Sequence, residues 1–409
     1  MKRLLKFAAF FLATAAVVLG LVFYFSWDSI TAAYKNRKGL AQGSEWIEKT
    51  YSLKGLTEFI GEHPEFVSIA SYTLSNPEEG IYYNEQEKRT MGGLSNLVLI
   101  LEYARQAENE MIDPNGTIRL QKLDNYRLPE IKSGIHEDVR DFWDENEMVS
   151  GNTIQNRDLI HTLARFNDPI IADYFFYFLG PNNLNKLYQQ LELSQTESLL
   201  PYIGYYITIH PALHDASNSE HLSYLTSMKR PEFDELVKSN AEKYLNDLSY
   251  RNQVRAVFRR EGLPFTFIHQ RKFNQLLPKS TAMEMSRIMQ AMVENELFPA
   301  RAEPVVRSIL NWPMDNRRMH QDFISYGALY DSRMGILNGV DYGISKYTGK
   351  QYVQAVFFDN LPVGFWLHMS ANHMHQDFQQ RLIWDPALNE TTRQAINDDS
   401  LKTSATATP

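Results

Sequence analysis

Hydrophobic and polar positions divide this chain into stretches of different period. Phe7 to Phe25 is a run of 19 residues without a charge. Ser52 can cap a helix over about Leu53 to Gly61. "FVSIASYTL" (66–74) has the β-branched and aromatic content of a strand, and "GIYYNEQ" (80–86) suits a hairpin partner across Asn76-Pro77. Gly92 and Gly93 then form a bend that runs into an apolar stretch, Leu94 to Tyr103, which predicts a buried helix. Asp113 to Asn152 is acidic and polar and reads mostly as loop.

Thr153 to Phe166 is amphipathic, and "DPIIADYFFYFLG" (168–180) predicts a buried helix opened by Asp-Pro and closed by Gly180. "NLNKLYQQLEL" follows as another helix, and Lys229 to Gly262 is charged and helix-favouring. Thr281 to Glu294 places Met283, Ile288, Met289 and Met292 in helical register. The period then changes. "ALYDSRMGI" (328–336), "VDYGISKY" (340–347) and "QYVQAVFFD" (351–359) read as three strands joined by Asn-Gly and Thr-Gly-Lys turns. An amphipathic helix over about 363–383 precedes a polar tail. Strands at both ends with a helical block between them predict one mixed α/β (α+β) unit, its terminal strands forming a single sheet covered by helices.

The apolar run at the N-terminus spans about 28 Å as a helix, close to the hydrocarbon thickness of a bilayer. Lys2, Arg3 and Lys6 precede it and Asp28 follows, which orients the N-terminus inward and the rest outward. Tyr24 and Trp27 would lie at the outer interface. Thr31-Ala32-Ala33 is the one candidate cleavage site, so a retained signal anchor is expected over a cleaved leader. The expected organisation is an anchor (1–27), a linker (28–51), a folded domain (52–385) and a polar tail (386–409).

The 409 residues suffice for a large core, and a net charge of −8 argues against nucleic acid as a partner. The absence of cysteine excludes disulfides, thiolate metal sites and a cysteine nucleophile. His373 and His375 diverge on a helix, and His210 and His214 lack an acidic partner, so no metal site is expected. The letters Ser150-Gly151-Asn152 fall in a loop. The mixed charges of 228–262 read as a solvated helical face or a partner surface.

The order of elements, together with four local patterns, resembles the serine β-lactamase and penicillin-binding-protein superfamily, nearest to class A β-lactamases and D,D-peptidases. The resemblance covers residues 50–385. The patterns are "MGGLSNLVLILEYA", "TIQNRDLIHTLARFNDPIIADYFFYFLG", "STAMEMSRIMQAMVENELFPARAEPVVRSILNW" and "SRMGILNGVDYGI". That family works through Ser-x-x-Lys, Ser-Asp-Asn and Lys-Thr-Gly. The match implies Gly93 at the serine and Asn96 at the lysine. It implies Asn167, Asp168 and Pro169 at the second motif, and Arg333, Met334 and Gly335 at the third. Asp341-Tyr342-Gly343 is an alternative register for the last, and Lys346 to Gly349 sits at a turn. "SQTESLLPYIGYYITIHPAL" falls at the loop that carries the deacylating glutamate, where Glu197 lacks the surrounding pattern and is expected at the surface.

A serine hydroxyl needs a base to become a nucleophile. Gly93 has no oxygen and Asn96 does not titrate. Ser95 points about 200° away from Gly93 on a helix. Asp168 is expected to cap the helix that Pro169 opens. Arg333 keeps a cation for a carboxylate or an interior ion pair, and Met334 has lost the hydroxyl. The expectation is a membrane-anchored, extracytoplasmic β-lactamase-like pseudoenzyme of the bacterial inner membrane, with no cofactor. Its partner would be an envelope protein or a peptidoglycan peptide. The alternatives are a serine hydrolase working through non-standard residues and a plain structural anchor.

Overall fold

The computed structural model describes residues 31–398, except 130, 132–133, 295, 298–301, 311–327, 335–337, 346–348 and 373. The expected membrane span lies outside the described residues. Among those described, no helix is long and apolar enough to cross a membrane.

Five strands form one antiparallel sheet: β1 (Val67–Thr73), β2 (Asn76–Tyr83), β7 (Ala328–Met334), β8 (Gly339–Ser345) and β9 (Gln351–Phe358), in the order β2-β1-β9-β8-β7. The N-terminal hairpin thus joins the C-terminal strands, as the change of period implied. β1 and β9 are central and buried on both faces, which is why they read as continuous apolar runs. Val67, Ile69, Val356 and Phe358 face one core with α1 (Leu53–Glu62). Helices α14 (Val363–Asn372), α15 (Met374–Trp384) and α16 (Pro386–Asn397) complete that layer. Ala70, Tyr72, Val353, Ala355 and Phe357 face the second core, against α12 (Ala282–Glu294).

On the first face one polar row crosses the sheet. Ser71 Oγ donates to Gln354 Oε1 (3.0 Å), and Gln354 Nε2 donates to Asp341 Oδ2 (3.3 Å) and the Gln379 carbonyl (2.9 Å). Buried polar groups persist in a core only when bonded in this way.

The helical block is built around α2 (Asn96–Glu108), which is buried along most of its length. Packed beside it are α4 (Asn156–Phe166), α5 (Pro169–Leu179) and α6 (Pro181–Gln190). Asp113–Asn152, expected as loop, instead holds β4 (Thr117–Arg119) and α3 (Gly134–Glu145). β4 pairs with β5 (Thr153–Gln155). His136, Val139 and Trp143 give α3 a buried stripe at helical spacing beneath a charged exterior. "YIGYYITI" forms α7 (Tyr202–Ile209). It crosses α9 (Arg230–Asn246) so closely that a Cβ at Gly204 would collide with the Val237 carbonyl. α10 (Leu248–Glu261) and α11 (Phe267–Asn274) complete this part.

Two segments read as linker and tail contain helices, and one expected helix is two. The segment expected as a linker is helical over 31–40 and docked: Asn36 Oδ1 accepts from the Phe267 amide at 2.7 Å. Residues 386–397, expected within the tail, form α16 against α1, started by Asp385, which accepts from the Ala387 and Leu388 amides. The single helix expected over 363–383 is two helices, α14 and α15.

Candidate functional site

The chain reaches the Gly92-Gly93 bend through a short ladder, β3 (Arg89–Thr90) against β6 (Lys279–Ser280). The Met91 amide extends it by donating to the Pro278 carbonyl at 3.0 Å. Residues Gly92–Ser95 make a 3-10 turn before α2 begins at Asn96. The two glycines are required for different reasons. Gly92 has φ 56°, a left-handed conformation, with open space where a Cβ would point. Gly93 has no such backbone demand. A Cβ there would lie 2.7 Å from Asn167 Cγ, too close without movement.

Asn167 ends α4 with φ 54° and ψ 36°, which asparagine tolerates better than most residues. Its carboxamide fills the space a side chain at 93 would need, and its Oδ1 accepts from Asn96 Nδ2 at 3.0 Å. So Gly93, Asn96 and Asn167, which come from two of the sequence motifs, meet in one cluster. Asn96 is 1 % exposed, buried away from solvent.

Asp168 begins α5 with Pro169 in the first turn. Its Oδ1 accepts from the Ile170 and Ile171 amides at 2.6 and 3.2 Å, the capping role expected of it. Its Oδ2 accepts from His136 Nδ1 at 2.7 Å, an interaction no sequence pattern indicated. An ionised carboxylate can only accept, so Nδ1 is the donor in this pair. Pro169 brings no side-chain amide.

Ser95 Oγ donates to the Gly92 carbonyl at 2.8 Å and lies 3.4 Å from Tyr202 OH. It is bound to backbone, and neither neighbour is a base. Asp173, one turn into α5, accepts from the Tyr202 and Ile203 amides at 2.6 and 2.7 Å and so holds the start of α7. Burial pushes its carboxyl up to about 8, against the lowering effect of those two amides. Burial also raises the Tyr202 phenol, so it remains a neutral hydroxyl.

Arg333 and Met334 lie on β7, an edge strand, with backbone partners Asp341 and Val340. Their side chains, and Gly335, lie outside the described residues. Asn338, which leads into β8, donates to the Thr90 carbonyl at 2.5 Å and brings this hairpin to the strand before the Gly-Gly bend. Asp341, the alternative register, is engaged by Gln354 within the sheet. Glu197, expected at the surface, is half-buried. It accepts from the Lys279 amide at 3.0 Å and pairs with Arg230 at 2.9 Å.

One space adjoins the bend, and a second adjoins the first. The smaller, about 20 Å³, lies among Gly92, Ser95, Asn96, Asp173 and Tyr202 and has room for a water-sized group. The larger is an open cleft of about 670 Å³ that shares Asp173 and Tyr202 with it. Tyr126, Tyr206, His136 and Glu137 line the cleft, as do Arg127, Arg255 and Arg259. Arg255 is held in place, its Nε donating to Tyr244 OH and its Nη2 to the Asp124 carbonyl, both at 3.0 Å. Arg255 and Arg259 come from α10, inside the 228–262 stretch whose charges read as a solvated face or a partner surface. Among the described residues, no group of three His, Cys, Asp or Glu side chains is placed to hold a metal.

No family model matches the sequence, and no curated protein matches it. Solved structures do. The chain is similar to a β-lactamase from Sphaerobacter thermophilus DSM 20745, at 13% identity and TM-score 0.49, over 85% of this chain and 97% of that one. It is similar to a β-lactamase from Chitinophaga pinensis DSM 2588, at 12% identity and TM-score 0.47, over 82% and 99%. A class A β-lactamase from Mycobacterium abscessus is similar at 11% identity and TM-score 0.45, over 78% and 95%.

Proposed function

We propose that this protein is a β-lactamase-like pseudoenzyme that binds rather than reacts, held at the bacterial inner membrane by its N-terminal span with the folded domain outside. One observation carries the reading. The Asn167 carboxamide occupies the space in which a nucleophile at position 93 would stand, and it is bonded to Asn96, where the assisting base would stand. A glycine alone would leave a vacancy open to water or to a substituted side chain. A glycine packed under a bonded carboxamide makes a closed, neutral contact with no group able to form an acyl bond.

Binding remains available in the adjoining cleft, whose volume lies within the usual range for small-ligand sites. Arginine forks suit carboxylates, and tyrosine faces suit rings and peptide planes. This chemistry fits a peptidoglycan peptide or a carboxylate-bearing segment of an envelope protein. Incubating the full chain in membranes with a fluorescent penicillin tests the loss of chemistry: no covalent label is expected, and an adduct on any residue overturns it. Thermal-shift measurement with muropeptides tests the cleft, where binding at one hundred times Kd stabilises by about 2.7 kcal/mol.

A second reading, a hydrolase using other residues, has one observation in its favour. His136 is oriented by Asp168 and lines the cleft, the geometry of a general base. Turnover of an ester surrogate that disappears in His136→Ala would establish it.

A further inference from the structure

The helix over residues 31–40 is fixed to the body near its exit from the apolar N-terminal run. Gly39 lies against Ile268 and Val363, and the Phe365 amide donates to the Gln42 carbonyl at 3.2 Å. This seats the segment on α11 and α14. Helix α14, "VGFWLHMSAN", contains no Asp, Glu, Lys or Arg. Val363, Phe365 and Met369 face the core, while Trp366 and Leu367 point outward, 45% and 36% exposed. Beside them Tyr51 is 60% exposed, its ring edge-on to His368 with centroids 4.7 Å apart.

Among the described residues, nine large hydrophobic side chains are exposed, and five of them (Tyr34, Tyr51, Phe267, Trp366, Leu367) belong to residues 31–51, α14 or the start of α11. The charged side chains nearby along the segment are Lys35, Arg37, Lys38 and Lys49, with Glu45 and Glu48. An uncharged surface helix with tryptophan and leucine outward is costly in water and favourable at a membrane interface, where tryptophan and tyrosine concentrate.

We propose that this face rests on the outer surface of the bilayer, with Trp366, Leu367 and Tyr51 seated at the boundary of headgroups and acyl chains. The proposal rests on the anchor reading above and adds an orientation to it. Only residues 26–30 separate the apolar run from the docked helix. Five residues reach at most about 18 Å when fully extended, so residue 31, where the docked helix begins, stays within that distance of the outer end of the span. Basic residues on the same segment suit anionic headgroups. The cleft is lined by none of these residues.

The chain has no cysteine, so a single nitroxide label reports without background. Leu367→Cys and, as a control, the exposed Leu248→Cys would be labelled in the full chain in phosphatidylglycerol-containing vesicles. Collision with an aqueous nickel chelate is expected to be about fivefold lower at 367 than at 248, and collision with oxygen higher. Tyr51→Ser with Trp366→Ser is expected to expose a label placed by Ala371→Cys while the chain still floats with the vesicles. A label at 367 as accessible as that at 248, on a chain that floats, overturns the surface and leaves the anchor. Failure to float overturns both. Dipolar broadening between labels at 367 overturns the proposal in favour of a second copy.

Discussion

The Gly92–Asn96 bend and the nearby cleft share the neighbours Asp173 and Tyr202, yet they leave very different amounts of space. At the bend about 20 Å³ remains, Asn96 is paired with Asn167, and the titrating group beside it, Asp173, is held by two backbone amides. In the cleft about 670 Å³ remains, and Arg127 and Arg259 carry charges that no ion pair neutralises among the described residues. Under the proposed reading, loss of chemistry and loss of recognition are separable. Acyl transfer depends on one or two atoms held within hydrogen-bond reach, so a single carboxamide suffices to close it. Recognition depends on a concave surface and distributed charge, which a change confined to the bend leaves in place.

The boundary between the two regions is where the comparison is broken most easily. Asp168→Ala removes the cap of α5 and the acceptor of His136 together, and is expected to cost about 3 kcal/mol in urea unfolding. Loss of ligand-induced stabilisation in the same variant would tie cleft integrity to this carboxylate. Gly93→Ser crowds Asn167 and is expected to cost about 2 kcal/mol. Adding Asn167→Ser should recover most of that loss, and an additive double-mutant cycle would contradict the crowding. Acylation should not return until Asn96→Lys is added as well, because the serine alone has no base.

Asp173 gives a gentler, pH-dependent test. Its carboxyl is protonated up to about 8 in the fold but ionises near 3.8 when unfolded, so the native state holds the extra proton between those values. Stability is therefore expected to fall as pH rises through that window, by on the order of 1 kcal/mol per pH unit at most, and to level off above it. Asp173→Asn should flatten the slope, measured as denaturation midpoint against pH. The smallest effect on stability is expected on the cleft side. Arg259→Ala should change stability by less than about 0.5 kcal/mol, as an exposed substitution. It should still weaken binding of any carboxylate ligand the cleft takes, read by calorimetry.

Much of the fold was legible because its signals are local. Ser52 caps α1, accepting from the Gly55 amide at 3.1 Å, and Asp168 with Pro169 opens α5. The helices read wrongly failed for identifiable reasons. α7 is rich in tyrosine and isoleucine, poor helix formers, and exists because Asp173 supplies acceptors for its first amides while Gly204 admits α9. α3 was obscured by its acidic exterior, although His136, Val139 and Trp143 already had helical spacing. Helix α16 looked like a tail because its polar face dominates its composition. Only packing against α1 reveals the buried Leu388, Thr392, Ala395 and Ile396.

The sequence alone determined the strand pattern, the order of elements, the capping role of Asp168 and the absence of a Ser-x-x-Lys couple. These follow from residue type and period, which neighbouring residues along the chain decide. It also contained both glycines of the bend, but not why each is there. Only the tertiary structure decided that Gly92 answers to its own backbone, whereas Gly93 answers to a carboxamide 74 positions away in sequence. It likewise decided that His136 meets Asp168 and that arginines of α10 line the cleft. Contacts of that kind depend on how helices cross, and helix crossing is set by packing among side chains distant in sequence.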